Sequence, residues 1–394
     1  MNEARERLRQ AGWLARPETQ QLLALLDGQQ RRTRVVGGAV RDTLLGLDQE
    51  LADIDLATEL MPGDVVARAE RAGVAVYPTG LAHGTVTLRL GTLVAEVTTL
   101  REDVETDGRH AMVRFGQDWR EDAARRDFTL NALYAEIDGT LFDPLGGLDD
   151  CLERRVRFIG DASRRIAEDR LRVYRFFRFS ASHGEERLDA EGLAACAAAA
   201  DDLGRLAAER VGAEMRRMLA LPRVARTFKA MAGIGLPLPA DALEPLQAYE
   251  RRARRADSGS RLALLFSFGD AQALRRQWRL SNDDVQLAED ILAAARLIRA
   301  FRINEAAYRY PAVLAGAVEV ASVLSGWSEA GREAVLEQLL GMAVPHFPVT
   351  GNDLIVAGQK PGPELGHTLR RLEAEWIDSG FTLDREALLA GIGR

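Results

Sequence analysis

Two aspartates separated by one residue, Asp53 and Asp55, form the group in this sequence best suited to chemistry. Ile54 and Leu56 alternate with them, a period of two that predicts a strand with both carboxylates on one face. Neighbouring carboxylates repel each other unless a cation lies between them, and phosphoryl-transfer enzymes use such pairs to hold metal ions. Glu96, in the segment LVAEVTTL, can add a third carboxylate. The competing interpretation is a solvated turn without chemistry.

The glycines upstream of the aspartates favour the catalytic interpretation. Residues 34–36 predict a short strand that ends at Gly37 and Gly38, and residues 39–45 predict a helix. Such a turn presents backbone N–H groups and the positive end of a helix dipole to a phosphate, so we expect Gly38 to lie against one. Arg41 can reach the same phosphates with its planar guanidinium group.

A second polar cluster lies in the segment RRDFTLNAL, residues 125–133. It precedes an apolar run, so we expect the polar side chains at the edge of a strand or helix. Arg126 is suited to triphosphate oxygens, whereas Asp127 and Asn131 are suited to sugar hydroxyls. The competing interpretation is a helix cap closed by salt bridges.

A third cluster lies in IAEDRLRVYRFFRFSA, residues 166–181, which we interpret as one helix. Asp169 and Arg172 are three residues apart and would share a face, which Arg175 and Arg178 continue. Such an acid–arginine pair is often only a structural ion pair. It can also bind a base edge, because a carboxylate accepts from the exocyclic amine of cytosine or adenine and an arginine donates to ring acceptors. One pair could thereby accept CTP and ATP and reject UTP and GTP.

The remainder of the sequence limits the class of protein. The 394 residues carry a formal net charge of −7, no run of about twenty apolar residues and no basic-then-apolar leader pattern. Cys151 and Cys196 have no second ligand at metal-binding spacing, which favours a reducing cytoplasm and disfavours zinc. Strand-like runs continue to Leu141-Phe142, and from about residue 161 the pattern is helical. Two arginine clusters in the helical part are candidates for contact with a nucleic-acid backbone: RRARR at 251–255 and QALRRQWR at 272–279, the latter with Trp278.

Taken together, the motifs resemble those of class II tRNA nucleotidyltransferases, the CCA-adding enzymes and their bacterial poly(A) polymerase relatives in the polymerase-β-like superfamily. The matching segments are GGAVRD, DIDLAT, RRDFTLNAL, DPLGGLDD and EDRLRVYRFFRF, in this order. The resemblance implies an α+β fold with a nucleotidyltransferase head followed by a helical neck, body and tail. We expect these four parts at residues 1–150, 151–220, 221–320 and 321–394.

The resemblance also implies an activity and roles for the site residues. The activity is template-independent addition of C, C and A to the 3′ end of tRNA from CTP and ATP. Asp53 and Asp55 would hold Mg²⁺. Residues implied to contact the nucleotide are Gly38, Arg41 and Arg126, with Asp169, Arg172, Arg175 and Arg178 at the base. Residues 101–115 match a flexible loop needed for the final A. The alternatives are an A-adding enzyme, a poly(A) polymerase or a non-catalytic RNA-binding relative; neither a membrane nor a stable protein partner is implied.

Overall fold

The computed structural model describes residues 1–47, 53–107 and 110–393. The chain divides into two compact units: Met1–Glu214 with Ile234–Leu236, and Met215–Gly233 with Pro237–Arg394. The first unit contains the β-structure and the second is helical, which confirms the predicted α+β head with a helical remainder. The finer division into neck, body and tail stays a prediction.

The first unit combines strands with helices. Its strands are β1 Thr33–Val36, β2 Asp53–Thr58, β3 Ala75–Gly80, β4 Thr85–Leu90, β5 Leu93–Thr99, β6 Arg101–Asp107, β7 His110–Phe115, β8 Tyr134–Ala135 and β9 Leu141–Phe142. Its helices are α1 Asn2–Arg9, α2 Gly12–Ala15, α3 Pro17–Leu25, α4 Gly38–Leu44, α5 Pro62–Arg71, α6 Trp119–Ala124, α7 Leu148–Leu152, α8 Ala162–Glu168, α9 Arg172–Ser182, α10 Ala190–Ala198 and most of α11 Ala208–Leu219.

Seven strands form one mixed sheet in the order β3-β4-β5-β2-β1-β8-β9. The pairing of β2 with β5 is parallel, and the other pairs are antiparallel. A turn at Asp138 and Gly139 joins β8 to β9 in an antiparallel hairpin. The segment predicted as a flexible loop forms a separate hairpin of β6 and β7, while Gly108 and Arg109 lie outside the described residues.

Alternation along β2 and β5 separates the core from the acidic face. Ile54 and Leu56 on β2, like Ala95 and Val97 on β5, are at most 3 % exposed. The residues between them project to the opposite face, because successive side chains of a strand point to opposite sides. Burial of these apolar side chains therefore fixes the register of β2 and β5 and leaves Asp55 and Glu96 on the opposite face of the sheet.

In the second unit, a buried arginine holds several of the packed helices together by hydrogen bonds. Its remaining helices are α12 Ala225–Gly233, α13 Leu243–Arg252, α14 Ser258–Phe268, α15 Ala271–Trp278, α16 Asn282–Arg299, α17 Ile303–Arg309, α18 Leu314–Ser325, α19 Glu329–Leu340, α20 Gly351–Val356, α21 Pro363–Asp378 and α22 Arg385–Ala390. Arg261 is fully buried and donates to the Glu250 carboxylate at 2.9 Å and to the carbonyls of Leu219 and Pro222 at 2.7 and 2.9 Å. One guanidinium thus links α11, α13 and α14. No helix in the described part of the chain has the length and apolar character needed to cross a bilayer.

Replacing Arg261 with Met should destabilise the second unit, because Glu250 would stay buried without its counter-charge. We expect a loss of about 3–5 kcal/mol in the free energy of unfolding, measured from urea unfolding followed by circular dichroism. Arg254→Met is the matched control. Arg254 is 85 % exposed, and its distance to Glu333, 3.9 Å, is long for an ion pair. Equal effects of the two substitutions would contradict this role for Arg261.

Candidate active site

The turn between β1 and α4 requires glycine. Gly37 has φ +75° and ψ −128°, a backbone conformation that other residues rarely adopt. A Cβ built there would lie 3.6 Å from a carboxylate oxygen of Asp55, so the turn passes close to the acidic strand. Helix α4 has seven residues and carries Arg41 on its second turn. The strand–glycine–helix prediction is confirmed, and its main contribution to the site is the position of Arg41.

The acidic residues lie on adjacent parallel strands. The register pairs Asp55 of β2 with Glu96 of β5, and Asp53 lies on the same face of β2. Asp55 faces open space, yet burial among surrounding atoms raises its pKa, and the charges of Glu96 and Asp53 raise it further against the opposing effect of Arg126. This excess of negative charge is what a bound cation would relieve.

The number of carboxylates also bears on metal binding. Among the residues that the structure describes, no three His, Cys, Asp or Glu side chains come close enough together to enclose a metal ion. Mg²⁺ is commonly held by one or two carboxylates plus phosphate oxygens of a substrate. Asp53 and Asp55 therefore fit an ion whose remaining ligands come from a nucleotide.

A cleft of about 600 Å³ opens beside this acidic face. The structure brings together ten predicted site residues in its lining: Gly38, Arg41, Asp55, Arg126, Asp127, Asn131, Asp169, Arg172, Arg175 and Arg178. The two others, Asp53 and Glu96, are on the adjoining strands and do not line the cleft. Lining residues that we did not predict are Arg101, Arg125, Leu171, Phe179 and Arg210. A wall so rich in arginine suits a polyanion.

A chain of side-chain hydrogen bonds organises one wall of the cleft. Arg41 donates to Asn131 at 2.7 Å, and Asn131 donates to Asp127 at 3.0 Å. Asp127 also accepts from Arg175 at 2.7 and 2.5 Å and from the Phe128 amide at 2.9 Å. Burial raises the pKa of Asp127, but Arg175 and these hydrogen bonds outweigh it and hold the pKa below its ordinary value. Asp127 and Asn131, predicted to contact a sugar, are here bonded to protein groups.

The interpretation of residues 166–181 as one helix is wrong. Helix α8 ends at Glu168 and α9 begins at Arg172, with Asp169 extended at φ −147° and ψ 105°. The Asp169 carboxylate accepts from the Leu171 amide at 3.1 Å, a local bond of the kind by which aspartate competes with helical pairing.

Asp169 and Arg172 also have different partners. Asp169 accepts from Arg210 at 2.8 Å, whereas Arg172 donates to Glu168 and to the Arg165 carbonyl, both at 2.7 Å. Both side chains still face the cleft. Arg210 lies in the segment ERVGAEM, and its position in the sequence gave no sign of this contact because it is 41 residues from Asp169.

A buried carboxylate that we did not predict supports two of the arginines that line the cleft, Arg125 and Arg126. Asp122 is 1 % exposed and binds Arg125 at 2.6 Å and Arg126 at 3.1 Å. The Tyr134 hydroxyl donates to Asp122 at 3.0 Å and accepts from Arg126 at 3.1 Å. Burial raises the pKa of Asp122, but the charges of the two arginines outweigh it and lower the pKa below 3.8. Asp122 and Tyr134 therefore fix the position of the Arg126 side chain, which lines the cleft.

The fold and this cleft define a nucleotidyltransferase with a poly(A) polymerase-type head: residues 33–157 match the family model described as the poly A polymerase head domain. Among curated proteins, the zebrafish (Danio rerio) mitochondrial CCA tRNA nucleotidyltransferase 1 is 33 % identical, over 95 % of this chain and 90 % of its own. The Levilactobacillus brevis CCA-adding enzyme is 32 % identical, over 91 % and 92 %. The crystal structure of the Bacillus stearothermophilus CCA-adding enzyme with CTP matches with a TM-score of 0.77 and 28 % identity, over 95 % and 96 %. The chain belongs to the CCA tRNA nucleotidyltransferase family.

The depressed pKa of Asp122 predicts a dependence of stability on pH. A carboxyl group with a lowered pKa in the folded state stabilises the fold above its unfolded pKa, near 3.8, and loses this contribution as pH falls through the folded value. Asp122→Asn should therefore lower the free energy of unfolding by about 3 kcal/mol at neutral pH, and the difference from the unsubstituted protein should shrink below about pH 4.

Urea unfolding of both proteins between neutral pH and the lowest pH at which they stay folded measures this difference. Asp64→Asn, at an exposed carboxylate of α5, is the control and should show little effect. A difference that stays constant down to the acid limit would contradict the role of the Asp122 charge.

Proposed function

We propose that this cleft adds C, C and A to the 3′ end of tRNA, using CTP and ATP. The observation that carries the proposal is the position of the paired carboxylates Asp55 and Glu96 beside a cleft lined with arginines. In the reaction, the 3′-hydroxyl oxygen forms a bond to the α-phosphorus. The bond from that phosphorus to pyrophosphate breaks, and the hydroxyl proton is lost.

The acidic face is proposed to hold the metal. Asp53 and Asp55 would bind Mg²⁺, and Glu96, across from Asp55, would add negative charge beside them. When bound, the ion supplies a lowered pKa for the attacking hydroxyl and neutralisation of developing charge. The raised pKa of Asp55 supports this assignment, because the same crowding that disfavours its charged form is relieved by a cation.

The arginines are proposed to hold the nucleotide. Arg41 and Arg126 would bind triphosphate oxygens, with Gly38 allowing close approach of the backbone. The charge that accumulates on departing pyrophosphate would then meet guanidinium groups already fixed by Asp42, Asn131 and Asp122. Fixed donors cost no reorganisation when charge develops, which is how preorganised sites lower a barrier.

The base is proposed to lie near the start of α9. Asp169 would accept from the exocyclic amine of cytosine or adenine and Arg172 would donate to a ring acceptor, with Arg175 and Arg178 nearby. Arg210 and Glu168 hold these two side chains in place. In this proposal Asp127 and Asn131 act mainly by fixing Arg41 and Arg175.

Two further features belong to the proposal. An A-adding enzyme or a poly(A) polymerase would use the same carboxylates and differ in its product, so the product assay below separates them.

The buried, unpaired thiols of Cys151 and Cys196 support a reducing compartment, and we propose the cytoplasm.

Loss of either metal-binding carboxylate should abolish most activity. For Asp53→Ala and Asp55→Ala we expect nucleotide incorporation to fall by about 10³-fold or more, since several kcal/mol of transition-state stabilisation would be lost. The assay follows radiolabelled CTP and ATP into a tRNA transcript that ends at the discriminator base. Glu70→Ala, at an exposed carboxylate of α5, is the control. Near-normal incorporation by Asp53→Ala would refute the proposal.

The unsubstituted protein in the same assay identifies the product. CTP alone should give a transcript longer by two cytidines, and CTP with ATP should give CCA and then stop. Addition of A alone to this transcript, or a growing A tail, would instead favour an A-adding enzyme or a poly(A) polymerase.

Asp169→Ala should relax the choice of base while sparing overall catalysis. Loss of one hydrogen bond to the exocyclic amine should reduce the preference for CTP and ATP over UTP and GTP by about tenfold or more. The measurement is kcat/KM for each nucleotide, with Asp201→Ala, at an exposed carboxylate, as control. If Asp169→Ala still uses only CTP and ATP, this residue does not select the base.

A further inference from the structure

His183 lies at the C-terminal cap of α9, outside the residues assigned above. Its Nε2 is 3.1 Å from a carboxylate oxygen of Asp42, which is 141 positions away in the sequence. The same oxygen accepts from Nε of Arg41 at 2.8 Å, and the second Asp42 oxygen accepts from Nη2 of Arg41 at 3.2 Å. His183 and Asp42 are only 12 % and 19 % exposed. Their contact is therefore a partly buried link from α9 to the cleft arginine of α4.

The neighbours of His183 define which nitrogen carries its proton. Burial lowers the pKa of His183, and the charges of Arg41 and Arg178 lower it further, against the opposing effect of Asp42. The ring is thus neutral at physiological pH. A carboxylate only accepts, so Nε2 must donate to Asp42, and Nδ1 then accepts from the Ser182 hydroxyl at 2.6 Å. Ring orientation is fixed at both nitrogens.

Two routes therefore join α9 to Arg41. The first runs from Arg175 through Asp127 and Asn131 to Nη1 of Arg41. The second runs from His183 through Asp42 to Nε and Nη2 of Arg41. Without His183, Asp42 would lose the partner that the C-terminal cap of α9 supplies and could rotate together with Arg41.

We infer that His183 is a positioning residue for the nucleotide: it holds Asp42, and Asp42 keeps the Arg41 guanidinium directed into the cleft. This inference rests on the proposed function, in which Arg41 binds the triphosphate. Nucleotide binding then depends on α9 at both ends, through the base-facing residues at its start and through His183 at its C-terminal cap.

The test compares His183→Phe, which removes the donor, with His183→Gln, which keeps an N–H group. We expect His183→Phe to raise KM for both CTP and ATP by about five- to tenfold, with kcat within about twofold. His183→Gln should restore most of the affinity. A merely structural role would reduce the amount of active enzyme, lowering apparent kcat while leaving KM unchanged. An unchanged KM in His183→Phe would overturn the inference.

A double-mutant cycle with Asp42→Ala, which removes the acceptor, guards against misfolding of a single variant. If His183 acts through Asp42, adding His183→Phe to Asp42→Ala should raise KM no further. Independent, additive increases would overturn the inference.

Arg41→Met separates this inference from the proposed function. A raised KM in Arg41→Met with a normal KM in His183→Phe rejects only the role of His183. A normal KM in Arg41→Met rejects the triphosphate-binding role of Arg41, and the inference with it.

Discussion

The parallel pairing of β2 with β5 is the constraint on which the site depends. It sets Asp55 beside Glu96, and two like charges on adjacent strands are unfavourable unless something offsets them. The core on the other face of the sheet prevents the strands from shifting to separate these charges. A shift of one residue would bury the carboxylates and expose Ile54 and Leu56. Folding free energy from apolar burial therefore maintains an arrangement that by itself is repulsive. Within the protein, the charge of Arg126 offsets part of this repulsion.

The arginines around the cleft are subject to the opposite constraint. Each guanidinium that faces the cleft repels its neighbours, and each of the principal ones is held by a carboxylate: Arg41 by Asp42, Arg126 by Asp122, Arg172 by Glu168 and Arg175 by Asp127. These pairs fix direction without neutralising every donor. A polyphosphate would therefore meet groups whose side-chain entropy has already been lost on folding, which favours binding and catalysis.

The sequence was informative where local chemistry decides the structure. Period-two alternation marked β2, and Gly37 marked a turn that only glycine adopts readily. It was less informative where distant residues meet. Arg210 gave no local signal, because its partner Asp169 is 41 residues away. Asp122 lies three and four residues before its partners Arg125 and Arg126, a helical spacing that could have found it, but its burial is set by the fold. The break at Asp169 was missed because apolar periodicity continues across it, while the carboxylate captures a backbone amide that would otherwise join a helix.

The net charge of −7 does not oppose binding of an acidic partner at the cleft, because the lining of the cleft carries eight arginines and three aspartates. In the second unit, the end of α15 contains both a buried aromatic residue and exposed arginines. Trp278, which the sequence left open as a stacking or packing residue, is 1 % exposed and therefore packs in the core. Arg276 and Arg279 on either side of it are exposed. Burial of the indole anchors α15 in the core, and contact of the neighbouring arginines with a nucleic-acid backbone stays a prediction.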